Sequence, residues 1–192
     1  MRIEEVTLRA TVASHREGPR EPFPQVAFAG RSNVGKSSLL NALFGQKLAM
    51  VSKTPGKTRT INYYLVNRRW FFVDLPGYGY ARAGRDQREA WGGQITTYIE
   101  QEDRLSLVVA LIDPRIPTSP LDVDLVSFVR GVGKPLLLVM TKTDRLGRGE
   151  LARTGPRLVR ELGADGALIA FSAHTGGGRK EVLAAIARAL AA

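Results

Sequence analysis

Gly30, Arg31, Ser32, Asn33, Val34, Gly35, Lys36 and Ser37 form the run G-x-x-x-x-G-K-S, with glycines, a lysine and a hydroxyl at the spacing that a phosphate chain requires. The glycines let successive backbone N–H groups curl round phosphate oxygens, and a helix opening at Lys36 adds its partial positive charge. Lys36 then reaches the outer phosphates. The Ser37 hydroxyl is placed to bind Mg2+, and Ser38 follows on the same turn.

Asp74, Leu75, Pro76 and Gly77 make a D-x-x-G at the end of an apolar run. A carboxylate there can hold a Mg2+-bound water while the Gly77 N–H meets the γ-phosphate. By itself this tetrad is more often a turn, and its place one hairpin after the phosphate loop selects the functional reading. Thr141, Lys142, Thr143 and Asp144 follow the apolar run 135–140. The Asp144 carboxylate can accept from N1 and N2 of guanine, whereas adenine has no such donor pair, and the Lys142 stem can lie along the ring. A helix N-cap at Asp144 is the structural alternative. Phe171, Ser172 and Ala173 close the last apolar run and offer a backbone N–H to guanine O6. Between the first helix and the hairpin lies the run Thr54 to Thr60, including Gly56, Lys57, Thr58 and Arg59, polar and basic, without the apolar spacing of an element. It reads as a switch loop, with Thr58 as second Mg2+ ligand and Thr60 as the alternative.

Such boxes work only when a scaffold brings them together. Apolar runs of strand length alternate with helical patterns along the chain, the mark of a doubly wound α/β sheet. The expected fold is that of a P-loop GTPase: a mostly parallel sheet of six or slightly more strands, one antiparallel edge strand, helices on both faces. Strands are expected at 25–29, 61–66, 70–73, 105–112, 135–140 and 167–171, with a hairpin turning at Asn67 and Arg68. Helices are expected at 36–44, 85–101, 120–129, within 149–162, and at 179–191. Residues 1–192 read as a single G domain, in which 1–24 supply an N-terminal strand and, with Gly18, Pro19, Pro22 and Pro24, a loose lead-in. Trp91, Ile95 and Tyr98 share the buried face of a helix, and Glu100, Glu102 and Asp103 form a solvated helix end. His15 and His174 have no ligand spacing between them.

The 192 residues are 44% hydrophobic and 24% charged, the composition of an ordinary globular domain. With no cysteine, disulfide scaffolds, thiolate metal sites and Cys nucleophiles are excluded. No apolar stretch approaches the roughly 20 residues of a membrane span, and the N-terminus lacks an export signal, so a soluble cytoplasmic protein is expected; a monomer is expected too. There are 28 basic residues against 18 acidic ones, and none of the acidic ones falls within 22–73. That stretch carries Arg31, Lys36, Lys47, Lys53, Lys57, Arg59, Arg68 and Arg69, a field suited to phosphates or RNA.

Taken together, GRSNVGKSSLLNAL at 30–43, TPGKTRTINYY at 54–64, FVDLPGYGYA at 72–81, EAWG at 89–92 and TKTD at 141–144 resemble the translation-factor-related GTPases. Within them the resemblance is to the EngB family (YihA or YsxC) of bacterial ribosome-assembly GTPases, and it covers nearly the whole chain. It implies nucleotide contacts at 56–60, Mg2+ held by Ser37 and Thr58, and binding of GTP and GDP. It also implies a role late in assembly of the large ribosomal subunit and its RNA, and in division and septation. Tyr78 stands where Ras-like enzymes place the Gln that orients water, so hydrolysis in isolation should be slow. Asn33 matches a position that helps hold K+ in potassium-activated relatives; the alternative is that it only shapes the loop. Two other functions compete: a guanine-nucleotide-dependent binding module for a cell-division partner, with incidental hydrolysis, and an ATP-dependent kinase, against which 141–144 argue.

Overall fold

The computed structural model describes residues 1–50, 60–79, 85–164 and 168–191, the side chains of 85–92 excepted. Its centre is β2 (Gln25–Gly30), in which all six residues are buried. A strand covered on both faces belongs inside a parallel sheet. It lies between β4 (Trp70–Asp74) and β5 (Leu105–Ile112), parallel to both. With β1 (Val6–Val12), β3 (Ile61–Val66), β6 (Leu136–Met140) and β7 (Leu168–Ala170), the sheet order is β1-β3-β4-β2-β5-β6-β7. Among the described residues, only the pairings of β3, with β4 and with β1, are antiparallel.

The β3–β4 hairpin turns at Asn67 and Arg68, both at positive φ (49° and 55°), the conformation whose twist matches that of the two strands. The Asn67 carboxamide accepts from the Glu4 and Glu5 N–H groups and donates to the Arg2 carbonyl, which fixes the approach to β1. In consequence β1 takes the sheet edge, and the reversed strand β3 sits one place inside it.

Five helices, α1 (Lys36–Phe44), α2 (Arg85–Gln101), α3 (Pro120–Gly131), α4 (Arg148–Glu161) and α5 (Arg179–Ala189), cover both faces. Successive β2 side chains point opposite ways. Val26 and Phe28 therefore join Leu39, Leu40 and Leu43 of α1 and Val182 and Ile186 of α5, while Ala27 and Ala29 join Tyr98, Ile99, Val126 and Leu158 of α2, α3 and α4. Each fully buried Leu or Ile contributes about 1.5–3 kcal/mol. No helix of the described residues is long and apolar enough to cross a membrane.

Two expectations are corrected. The lead-in is tied down: Ser14 caps a short helical turn, Arg104 donates to the Pro19 and Glu21 carbonyls at 3.0 and 2.7 Å, and Phe23 stacks on Phe71. Glu102 is buried rather than solvated, because Arg104, two residues on, grips both its oxygens at 2.7 and 2.8 Å.

Candidate nucleotide site

Five parallel strands, β2, β4, β5, β6 and β7, end at one edge of the sheet, so the loops following them converge there, where open α/β sheets bind ligands. The phosphate loop leaves β2 at Gly30 and enters α1 through Gly35, whose φ of 111° is left-handed backbone that side-chain-bearing residues rarely adopt. Val34 anchors the loop, with its side chain in the core. Asn33 is exposed at φ 66°.

The D-x-x-G segment packs directly against this loop. Ser32 N–H donates to the Tyr78 carbonyl at 2.9 Å and Tyr78 N–H to the Gly30 carbonyl at 3.3 Å. The approach is so close that a Cβ on Gly77 would lie 3.1 Å from Ser32 Cα. The Lys36 ammonium forms an ion pair with the Asp74 carboxylate, both side chains largely buried. Leu75 and Pro76 are buried too, so this segment meets the site through backbone and the Asp74 carboxylate. Tyr78 turns away from it: its hydroxyl donates to Asp122 at 2.9 Å inside the fold, and burial followed by the Asp122 charge pushes its pKa well up.

The third loop is joined to the first. Thr141 Oγ1 donates to the Val34 carbonyl at 2.7 Å, and the Lys142 ammonium donates to the Asn33 carbonyl at 2.6 Å. Asp144 is exposed, and its Oδ1 accepts from Ser172 Oγ at 2.6 Å, the main reason its carboxyl is held below its usual pKa. Ser172 Oγ in turn accepts from the His174 and Thr175 N–H groups. Ser172 spends its own N–H on the Gly177 carbonyl, which leaves Ala173 to offer the backbone donor of this pair. Phe171 faces the core, and its carbonyl accepts from Thr143 N–H at 3.3 Å.

All the described residues of the three boxes thus come together. Gly56, Lys57, Thr58 and Arg59 lie outside the described residues; Thr60, half-buried, leads into β3. The donors suit Mg2+, which favours hard oxygens and keeps part of its water shell: one carboxylate at Asp74 and the Ser37 hydroxyl. No cluster of three or more His, Cys, Asp or Glu side chains fit to hold a metal occurs among the described residues. Sequence reasoning missed Asp113, Arg115 and the Ser172 hydroxyl. Asp113 was legible in principle, since it follows an apolar strand as Asp74 ends one. The acid-free stretch is acid-free along the chain only, because Glu5 meets Arg68 at 2.8 Å and Asp74 meets Lys36.

A G-x-x-x-x-G-K-S loop after the central strand, a D-x-x-G against it and a T-K-x-D loop bonded beside it, on this sheet, define a P-loop GTPase. Residues 25–142 match the family described as 50S ribosome-binding GTPase. The chain is 44% identical over 186 residues to the probable GTP-binding protein EngB of Pelodictyon phaeoclathratiforme, covering 96% of each chain. It belongs to the EngB family of GTP-binding proteins, and is a GTPase. The fold is shared with a crystal structure of a probable GTP-binding protein engB (TM-score 0.75, 24% identity, 86% of this chain and 98% of that one). It is shared also with Era in complex with MgGDPNP and nucleotides 1506–1542 of 16S ribosomal RNA (TM-score 0.67, 22% identity, 85% of this chain and 55% of that one).

Proposed function

We propose that this chain is a cytoplasmic, single-domain GTP switch in late assembly of the large ribosomal subunit, needed in consequence for normal division and septation. GTP or GDP lies with its phosphates on 30–38 and its base against Lys142 and Asp144, with Ala173 N–H at O6. Ser37 and Thr58 would hold Mg2+ directly and Asp74 through water, and the bound ion would supply positive charge to neutralise the phosphates. Lys36 stabilises the same charge, and the Gly77 N–H meets the γ-phosphate. Because Tyr78 does not orient water, turnover is slow until a partner or a K+ ion at Asn33 supplies what is missing.

The observation that carries this reading is the pair of bonds from Thr141 and Lys142 to Val34 and Asn33, over a hundred residues away, which join the base loop to the phosphate loop. The family description, 50S ribosome-binding GTPase, supports the choice of partner.

The test is co-sedimentation with purified large ribosomal subunits, with a GTP analogue, with GDP and without nucleotide, across a KCl series and a second series that exchanges anions at constant potassium. Binding should favour the GTP analogue and fall steeply with salt. Arg68→Ala with Arg69→Ala should flatten that slope, Arg68 contributing less because Glu5 already neutralises it. Subunits that neither bind nor stimulate turnover, where a purified division protein does both, would establish the binding-module alternative.

A further inference from the structure

Asp113 lies immediately beyond β5 and is 5% exposed. A carboxylate removed from water to that degree needs its lone pairs filled. Its Oδ1 accepts from the Arg115 N–H at 3.1 Å and Arg115 Nε at 2.9 Å; its Oδ2 accepts from Arg115 Nη2 and from Lys142 Nζ, both at 2.8 Å. Two cations thus share one buried anion. The fork of Arg115 fixes the orientation of the carboxylate, and the fixed carboxylate holds the Lys142 ammonium. That ammonium is bound on its other side by the Asn33 carbonyl at 2.6 Å.

We propose that Asp113 is a positioning residue for nucleotide binding: through Lys142 it locks the base loop to the phosphate loop, so that base and phosphates meet one rigid surface. The proposal rests on the reading of Lys142 as the residue that lies along the base. A lysine stem has several rotamers, and in solution its ammonium wanders over all of them. Between Asp113 and Asn33 it is confined to one, with the stem stretched along the wall where the base would stack. Affinity gains because the ordering is complete before the ligand arrives. Arg115 is the clamp on the carboxylate and is not required to touch the ligand.

The test is a double-mutant cycle on GDP affinity, measured by titration calorimetry on the full chain. Lys142→Ala and Asp113→Ala should each weaken GDP binding about tenfold, and the double variant should be no weaker than Lys142→Ala, since Asp113 acts only through that ammonium. Asp113→Asn keeps the shape and one acceptor and should lose less. It also completes the cycle if Asp113→Ala does not fold. Unchanged affinity in Asp113→Ala, or losses that simply add, would overturn the proposal. So would failure of both Asp113→Ala and Asp113→Asn to fold, because the carboxylate then serves the fold. If Lys142→Ala itself binds GDP as the wild type does, the base-loop reading fails, which is a separate result.

Discussion

The hydroxyl of Tyr78 donates to the carboxylate of Asp122 at 2.9 Å, and both side chains are buried. Asp122 is also the capping-box residue of α3, its other oxygen accepting from Ser119 N–H and Oγ at 3.0 and 2.9 Å. The residue after D-x-x-G therefore bonds to the phosphate loop through its backbone and to the start of α3 through its side chain.

Tyr78→Phe removes one bond to a buried carboxylate and should lower unfolding free energy by about 1–2 kcal/mol. Nucleotide affinity should change little, because the backbone bonds to Gly30 and Ser32 remain. Urea unfolding and GDP titration measure the two effects separately, and a large affinity loss at unchanged stability would contradict this account.

Asp144→Asn replaces an acceptor by a group that also donates, so preference should move from guanine to xanthine nucleotides. Ser172→Ala should weaken GTP binding less and without a shift toward xanthine, because the Asp144 carboxylate remains and only loses its 2.6 Å bond. Competition between GDP and the xanthine diphosphate reads both. GTP affinity intact in Asp144→Asn would mean that the base is read elsewhere.

Lys36→Ala should abolish tight triphosphate binding. It also strips Asp74, 5% exposed, of its cation, so ligand-free stability should fall by about 1–3 kcal/mol with the fold retained. Ser37→Ala touches no such pair and should impair turnover without that loss. Equal stability of Lys36→Ala and wild type would show that the ion pair contributes nothing net.

Acid should reveal Asp113. Burial alone would raise its pKa, yet hydrogen bonds from Arg115 and Lys142 outweigh that and bring it to about 2, from an ordinary 3.8. Since the folded value lies below the unfolded one, the stabilisation is whole above about pH 4 and is lost as pH falls toward 2; it amounts to about 2 kcal/mol. The stability difference between wild type and Asp113→Asn should therefore shrink over that range. A difference constant from pH 5 to pH 2 would exclude the shift.

What the residues alone determined was local. The phosphate loop is eight consecutive residues and the strands of the sheet's interior are apolar runs, so both could be read from adjacent positions; even the ends of α1, β3 and β5 fall where periodicity predicts them. Which side chains meet was decided only by the tertiary structure. Lys36 and Asp74 are 38 residues apart, Asp144 and Ser172 28, Asp113 and Lys142 29, Tyr78 and Asp122 44, Arg68 and Glu5 63. Parallel strands deliver their C-terminal ends to one sheet edge whatever the chain length between them, and sheet order then selects which loops are neighbours. For that reason the bond from Lys142 to Asp113 could not be read until β5 and β6 stood side by side, although Asp113 itself marks the end of an apolar run.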